Sequence, residues 1–166
     1  MASLERTAYP KLRANLSSKE LHQSYSLSES ELEWLSRTAK SPALTIGLAV
    51  LLKAFQQLHY FPALEEIPAE IVNHVRSCLS YGARIVPRYA NPRTLYRHQT
   101  AIRQYLQITP FYGSDALKVA EKTAHEAAEV FDQRVDVINV LIGELLERGY
   151  ELPAYSTLND AAEDAQ

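Results

Sequence analysis

The stretch SPALTIGLAVLLKAFQQLH, residues 41–59, decides the fold class. Ser41 can offer its hydroxyl oxygen to an unpaired amide at a helix start. Pro42 follows in the first turn, where a missing N–H costs nothing. Leu44, Leu48, Leu51, Leu52, Phe55 and Leu58 then recur at three- and four-residue spacing, the period of a helix with a buried face. Gly47 inside this run marks a place where another helix approaches closely. The apolar run from Ala43 to Ala54 is too short to cross a bilayer and contains Lys53.

The same punctuation recurs outward from this helix. Ser28 and Glu31 form a capping box, and Leu32, Leu35 and a candidate Trp34 give the helix behind it an inner face to about Ala39. Pro62 ends the long segment; Pro68 opens a helix carrying Ile71, Val72, Val75 and Leu79. Ser80–Ala90, with Gly82 and Pro87, reads as a connector. Asn91-Pro92 starts the next helix, whose seam is Leu95, Ile102 and Leu106 with His98 or Gln99 between, and Thr109-Pro110 breaks it. Ser114 predicts a helix from Asp115 to about Val130. Another follows from Val135 to Arg148, with Gly149 at its left-handed end, and a short one begins at Ser156 or Thr157. In residues 1–26, Tyr9-Pro10 breaks any early helix.

These readings predict an all-α protein of six to eight helices, a multi-helix bundle with a helix-turn-helix-like DNA-binding subdomain. The expected organisation is an extension at 1–27, a helical subdomain at 28–80, and a basic helical subdomain with closing helices at 81–166, packed as one unit. Apolar residues at 46% and charged residues at 22% suit a globular chain, and only five Gly favour helix. Cys78 is the single cysteine, which excludes an internal disulfide and suits a reducing compartment. Glu5 and Arg6 near the start, with no apolar core behind them, argue against a signal peptide. A soluble, cytoplasmic protein with no membrane partner is expected.

Charge carries the functional signal. Residues 71–114 contain no acidic residue, where about five would be expected at the chain's average density. The same window holds Arg76, Arg84, Arg88, Arg93, Arg97 and Arg103, together with His74 and His98. Five of the ten Tyr (Tyr81, Tyr89, Tyr96, Tyr105 and Tyr112) interleave with them, and the net charge of −3 hides the split. Guanidinium forks grip phosphates and can read guanine, while Tyr hydroxyls donate to phosphate oxygens. After Asn91-Pro92, the positions Arg93, Tyr96 or Arg97, Thr100, and Arg103 or Gln104 share the face away from the seam. A solvated face normally mixes signs; this one holds no carboxylate. With Arg84, Arg88, Thr94 and His98 added, these residues are the candidate contacts to double-stranded DNA.

No catalytic arrangement competes with that reading. His74 and Cys78 are four residues apart without a second ligand pair, so no metal site is expected. His22, His59 and His125 are scattered, the five glycines are isolated, and Glu65-Glu66 fits a loop better than an acid–base pair. The other class left open is a protein–protein module, for example one joining copies through the helix at 42–59.

Three segments in order, GLAVLLKAFQQLHYFPALEEIPAEIVNHV (47–75), TLYRHQTAIRQYL (94–106) and LLERGYELPAYSTL (145–158), resemble the N-terminal domain of the large replicative transposases of the Tn-three type. The resemblance covers the chain from about Thr7 onward. It implies a bacterial mobile element and recognition of its terminal inverted repeats by this region. It also implies catalysis by a separate C-terminal domain whose three acids bind magnesium. On that basis this chain needs no cofactor, is not an enzyme by itself, and has as further partners other transposase domains or a second protomer. One departure is the ending NDAAEDAQ, where Asp160, Glu163 and Asp164 stand in place of the bases found in many relatives. Carboxylates repel phosphates, so Tyr155, Ser156 and Thr157 are weak contact candidates.

Overall fold

The computed structural model describes residues 4–166, and the first three residues of the expected extension lie outside them. The regular structure is helical: α1 (Ser18–Tyr25), α2 (Glu29–Thr38), α3 (Pro42–Leu58), α4 (Ala69–Cys78), α5 (Pro92–Leu106), α6 (Ala116–Ala128), α7 (Arg134–Glu147) and α8 (Tyr155–Ala165). Among the described residues the sole β pairing is one isolated bridge, Thr109 to Tyr150. The protein is all-α.

The expected caps form. Ser28 Oγ accepts from the Glu31 amide at 3.1 Å, and the Glu31 carboxylate accepts from the Ser28 amide at 2.9 Å. Ser41 Oγ accepts from the Leu44 amide, and Gly149 takes its left-handed φ of +78°. One helix has no counterpart in the sequence reading. Ser17 Oγ accepts from the Glu20 amide at 3.1 Å and starts α1, so part of the expected extension is helical. Ser17 and Glu20 repeat the Ser-x-x-Glu signature seen at Ser28, a signal that could have revealed this helix. Ser114 acts two residues ahead of the α6 start, accepting from the Ala116 amide while donating to the Phe111 carbonyl.

Chain contacts divide the molecule into two compact units, Lys11–Gln104 and Met1–Pro10 with Tyr105–Gln166. This differs from the expected division at 80 and 81, because α5 up to Gln104 groups with the preceding helices. The N-terminal segment belongs with the closing helices: the Tyr9 hydroxyl donates to the Pro153 carbonyl at 2.7 Å, and the Ala8 amide donates to Asn139 Oδ1 at 2.7 Å.

In the 11–104 unit α3 is the axis, packed by α1, α2 and α4. Every residue from Thr45 to Phe55 is buried, so this helix is enclosed all round rather than on one face. Tyr25, Leu35, Ile71 and Val75 from its neighbours complete the core. The one charge on α3, Lys53, is 6% exposed, and its Nζ lies 2.8 and 3.0 Å from the two Glu31 oxygens. Gln56 Nε2 donates a further bond to Glu31 at 2.9 Å. Burial alone would raise the Glu31 pKa; the bonds from Lys53, the Ser28 amide and Gln56 outweigh it, so the carboxylate titrates below its ordinary range.

In the other unit α6, α7 and α8 pack on one another. Ala116, Ala120, Ala124 and Ala127 give α6 a small-residue face toward Ile138, Leu141 and Leu145 of α7 and Leu158 of α8, all buried. Asn159 is fully buried on α8, and neither polar atom of its side chain has a hydrogen-bond partner among the described residues.

Lys53→Met is expected to cost about 3–5 kcal/mol in denaturant unfolding, because it strands the buried Glu31 charge. Adding Glu31→Met should recover part of that loss; a double variant as unstable as the sum of the singles would contradict the pairing. Asn159→Leu, which removes an unsatisfied buried amide, is expected to raise stability by about 1–3 kcal/mol. A lower melting temperature would count against that account.

Candidate nucleic-acid interface

The two units divide the charge unequally. Lys11–Gln104 holds twelve Lys and Arg against seven acids, whereas Met1–Pro10 with Tyr105–Gln166 holds five against thirteen. All six arginines of the acid-free window lie in the basic unit.

Helix α5 carries the central row. Asn91 Oδ1 accepts from the Arg93 amide at 2.9 Å and starts the helix, as its Asn-Pro signature predicts. Arg93, Tyr96, Arg97 and Gln104 are exposed, Tyr96 by 66%, while Thr94, Thr100 and Arg103 are half-buried. Arg97 Nη2 donates to Thr94 Oγ1 at 3.3 Å, which braces the guanidinium without neutralising it. The Arg103 guanidinium lies 5.1 Å from the centre of the Phe61 ring, so this residue is partly held by the core. Arg84 and Arg88 are exposed on the connector between α4 and α5. None of Arg84, Arg88, Arg93 and Arg97 pairs with a carboxylate among the described residues.

Two window residues serve the fold instead. Arg76 Nε donates to the Ile85 carbonyl at 2.9 Å and Nη1 to Asn73 Oδ1 at 2.7 Å, clamping the connector onto α4. His98 is 6% exposed, and its Nδ1 is hydrogen-bonded to the Tyr89 hydroxyl. It therefore takes the seam position between Leu95 and Ile102, three residues after one and four before the other, and drops out of the outward row. Burial, with the Arg97 charge second, pushes the His98 pKa down, and burial pushes the Tyr89 hydroxyl up. Both groups stay neutral near pH 7.

Tyr89 also corrects the reading of Gly47. What comes close there is the Tyr89 ring of the connector, not a helix: a Cβ on Gly47 would sit 2.9 Å from Cε2. Residues 79–91 separate α4 from α5, far more than the turn of about three or four residues in a helix-turn-helix. The exposed row on α5 follows a connector anchored at both ends, by Arg76 at Ile85 and by Tyr89 at His98.

The remaining candidates are placed elsewhere. His74 Nε2 faces the Ser26 hydroxyl at 3.0 Å and Cys78 Sγ at 3.7 Å, with the His22 ring 4.9 Å away. Among the described residues no group of three or more His, Cys, Asp or Glu is arranged to hold a metal, and no helix is long and apolar enough to cross a membrane. Tyr155, Ser156 and Thr157 open α8 in the acidic unit, where Thr157 Oγ1 is 3.3 Å from the Tyr112 hydroxyl and Tyr155 packs edge-on to Tyr9.

His59, His74 and His98 are each held below the ordinary imidazole value of 6.5, first by burial. The folded state thus favours their neutral forms. Their contribution to stability is whole above about pH 6.5 and drains away as pH falls through the lowered values. Unfolding free energy should decline on acidification below that point, with a second loss where Glu31 protonates. In His98→Gln the first decline should be shallower, and an unchanged slope in that variant would count against a buried neutral His98.

No curated protein matches this chain significantly. One family model, described as a domain of unknown function (DUF4158), matches residues 1–165. Spanning nearly its whole length, that match places the chain in the DUF4158 family.

Proposed function

We propose that this chain is a sequence-specific DNA-binding domain, the N-terminal part of a Tn-three-type replicative transposase, which takes hold of the terminal inverted repeats of a mobile element. One observation carries the reading: an exposed row of Arg93, Tyr96, Arg97 and Gln104 on α5, joined by Arg84 and Arg88, that meets no carboxylate among the described residues. Arginine reads the guanine O6/N7 edge and glutamine the adenine N6/N7 edge, while Tyr and connector Arg grip phosphates. The resemblance of residues 47–75, 94–106 and 145–158 to the N-terminal domain of those transposases supports the same reading. In this proposal the chain positions DNA in the bacterial cytoplasm, and strand cleavage belongs to a magnesium-dependent catalytic domain elsewhere in the protein.

The alternative of a module joining copies through α3 loses its surface, since that helix is enclosed from Thr45 to Phe55. The test is mobility shift on the element's terminal repeat and on a scrambled duplex, across a salt series. Arg→Ala at a phosphate contact should weaken both duplexes alike and reduce the salt slope by roughly 0.9. At a base contact it should cost about 1–3 kcal/mol on the repeat alone. Neither duplex should be nicked when magnesium or manganese is added. If Arg84→Ala, Arg88→Ala, Arg93→Ala and Arg97→Ala all bind like the parent, α5 and its connector are not the DNA-binding element.

A further inference from the structure

We propose that Tyr89 is the positioning residue of this interface, a strut that sets the rotation of α5 and the path of the Arg84–Arg88 connector. The proposal rests on the DNA-binding reading above and goes beyond it by naming what makes the surface selective. Tyr89 is half-buried on the connector and is not itself a member of the exposed row. Its ring lies over Gly47 of α3, where an added Cβ would stand 2.9 Å from Cε2 and 3.4 Å from Cζ. Its hydroxyl bonds His98 Nδ1 in the middle of α5, and the two rings meet edge-on at 5.3 Å.

One side chain therefore links the buried axis of the unit, the connector and the inner seam of the outward helix. The consequence for each face follows from the helix period. With His98 drawn inward, its neighbour Arg97 is turned outward, and Arg93 and Gln104 align with it along the exposed side. Arg88, adjacent to the strut in sequence, is exposed four residues before α5 begins. Arg76, clamping Ile85, anchors the other end of the connector.

Phosphate contacts and base contacts depend differently on such a strut. A long Arg side chain can find a phosphate from many helix orientations, because that attraction is long-range and tolerant. Bidentate base reading requires both donors in the plane of one base edge, so it fails when the helix turns or tilts. Tyr89 is neutral, and removing its bonds changes no charge. Loss of the strut should thus erode discrimination while leaving general DNA affinity in place.

The experiment uses the whole chain and a duplex that the parent enriches from a random pool, with a shuffled duplex of equal length as competitor. Tyr89→Phe removes the hydroxyl bond, and Gly47→Ala displaces the ring. In each, the ratio of enriched to shuffled affinity should fall about tenfold, the scale of one lost bidentate contact. Affinity for the shuffled duplex and its salt slope should match the parent. The double variant should lose no more than the worse single, since both act through one strut. Circular dichroism melts confirm that binding is measured on folded protein, and Tyr89→Phe, which keeps the ring, is the milder arm if Gly47→Ala unfolds. A ratio equal to the parent's, with or without a lower melting temperature, overturns the positioning role and leaves the DNA-binding reading intact. A parent that binds no duplex, or enriches none, overturns both the recognition reading and the strut.

Discussion

The carboxylate of Glu31 ties the basic unit together. Lys53 Nζ reaches both its oxygens, Gln56 adds an amide, and the Ser28 amide completes the set. The same group closes the α2 capping box and neutralises the only charge on α3. Without it α3 would carry an uncompensated ammonium in the middle of its buried length, at a cost of several kcal/mol. With it, α3 can be enclosed on all sides and act as the axis against which α1, α2 and α4 are set.

An enclosed axis constrains what lies outside it. At Gly47 the absent side chain leaves room for one aromatic ring, and Tyr89 occupies that room. The connector thereby returns to the core after leaving α4, and α5 inherits an orientation from His98. The outward row then contains the residues that find no place inside: Arg93, Tyr96, Arg97 and Gln104. Packing selects the surface by exhausting the interior.

That surface is electrostatically costly unless an anion covers it. Exposed guanidinium groups repel one another, although salt screens the repulsion over about 10 Å. Elsewhere in the protein Lys and Arg pair with acids at helical spacing, as at Arg148–Glu144 and Lys122–Glu126. Among Arg84, Arg88, Arg93 and Arg97 the carboxylates are missing from the sequence itself, so no rearrangement within residues 71–114 can supply them. A polyanionic partner, as proposed above, would remove that repulsion and release counterions.

Much of this was legible in one dimension, because capping and helical period are local. Ser28 with Glu31, Ser41-Pro42, Asn91-Pro92 and Gly149 each announce a helix end through bonds spanning a few residues. Ser17 with Glu20 does so as well. The acid-free window is likewise a property of the chain alone, and so is the α5 face bearing Arg93, Arg97 and Gln104. Tertiary structure decided the choices between equivalent local options. Whether His98 or Gln99 fills the α5 seam depends on Tyr89, nine residues from His98 in sequence. Whether Gly47 faces a helix or a ring depends on a connector more than thirty residues away. Arg76 and Arg93 look alike in sequence, yet only Arg76 has a connector carbonyl within reach. Long-range packing assigns such roles because a side chain's partner is set by which chain segments are brought together, and no periodicity records that.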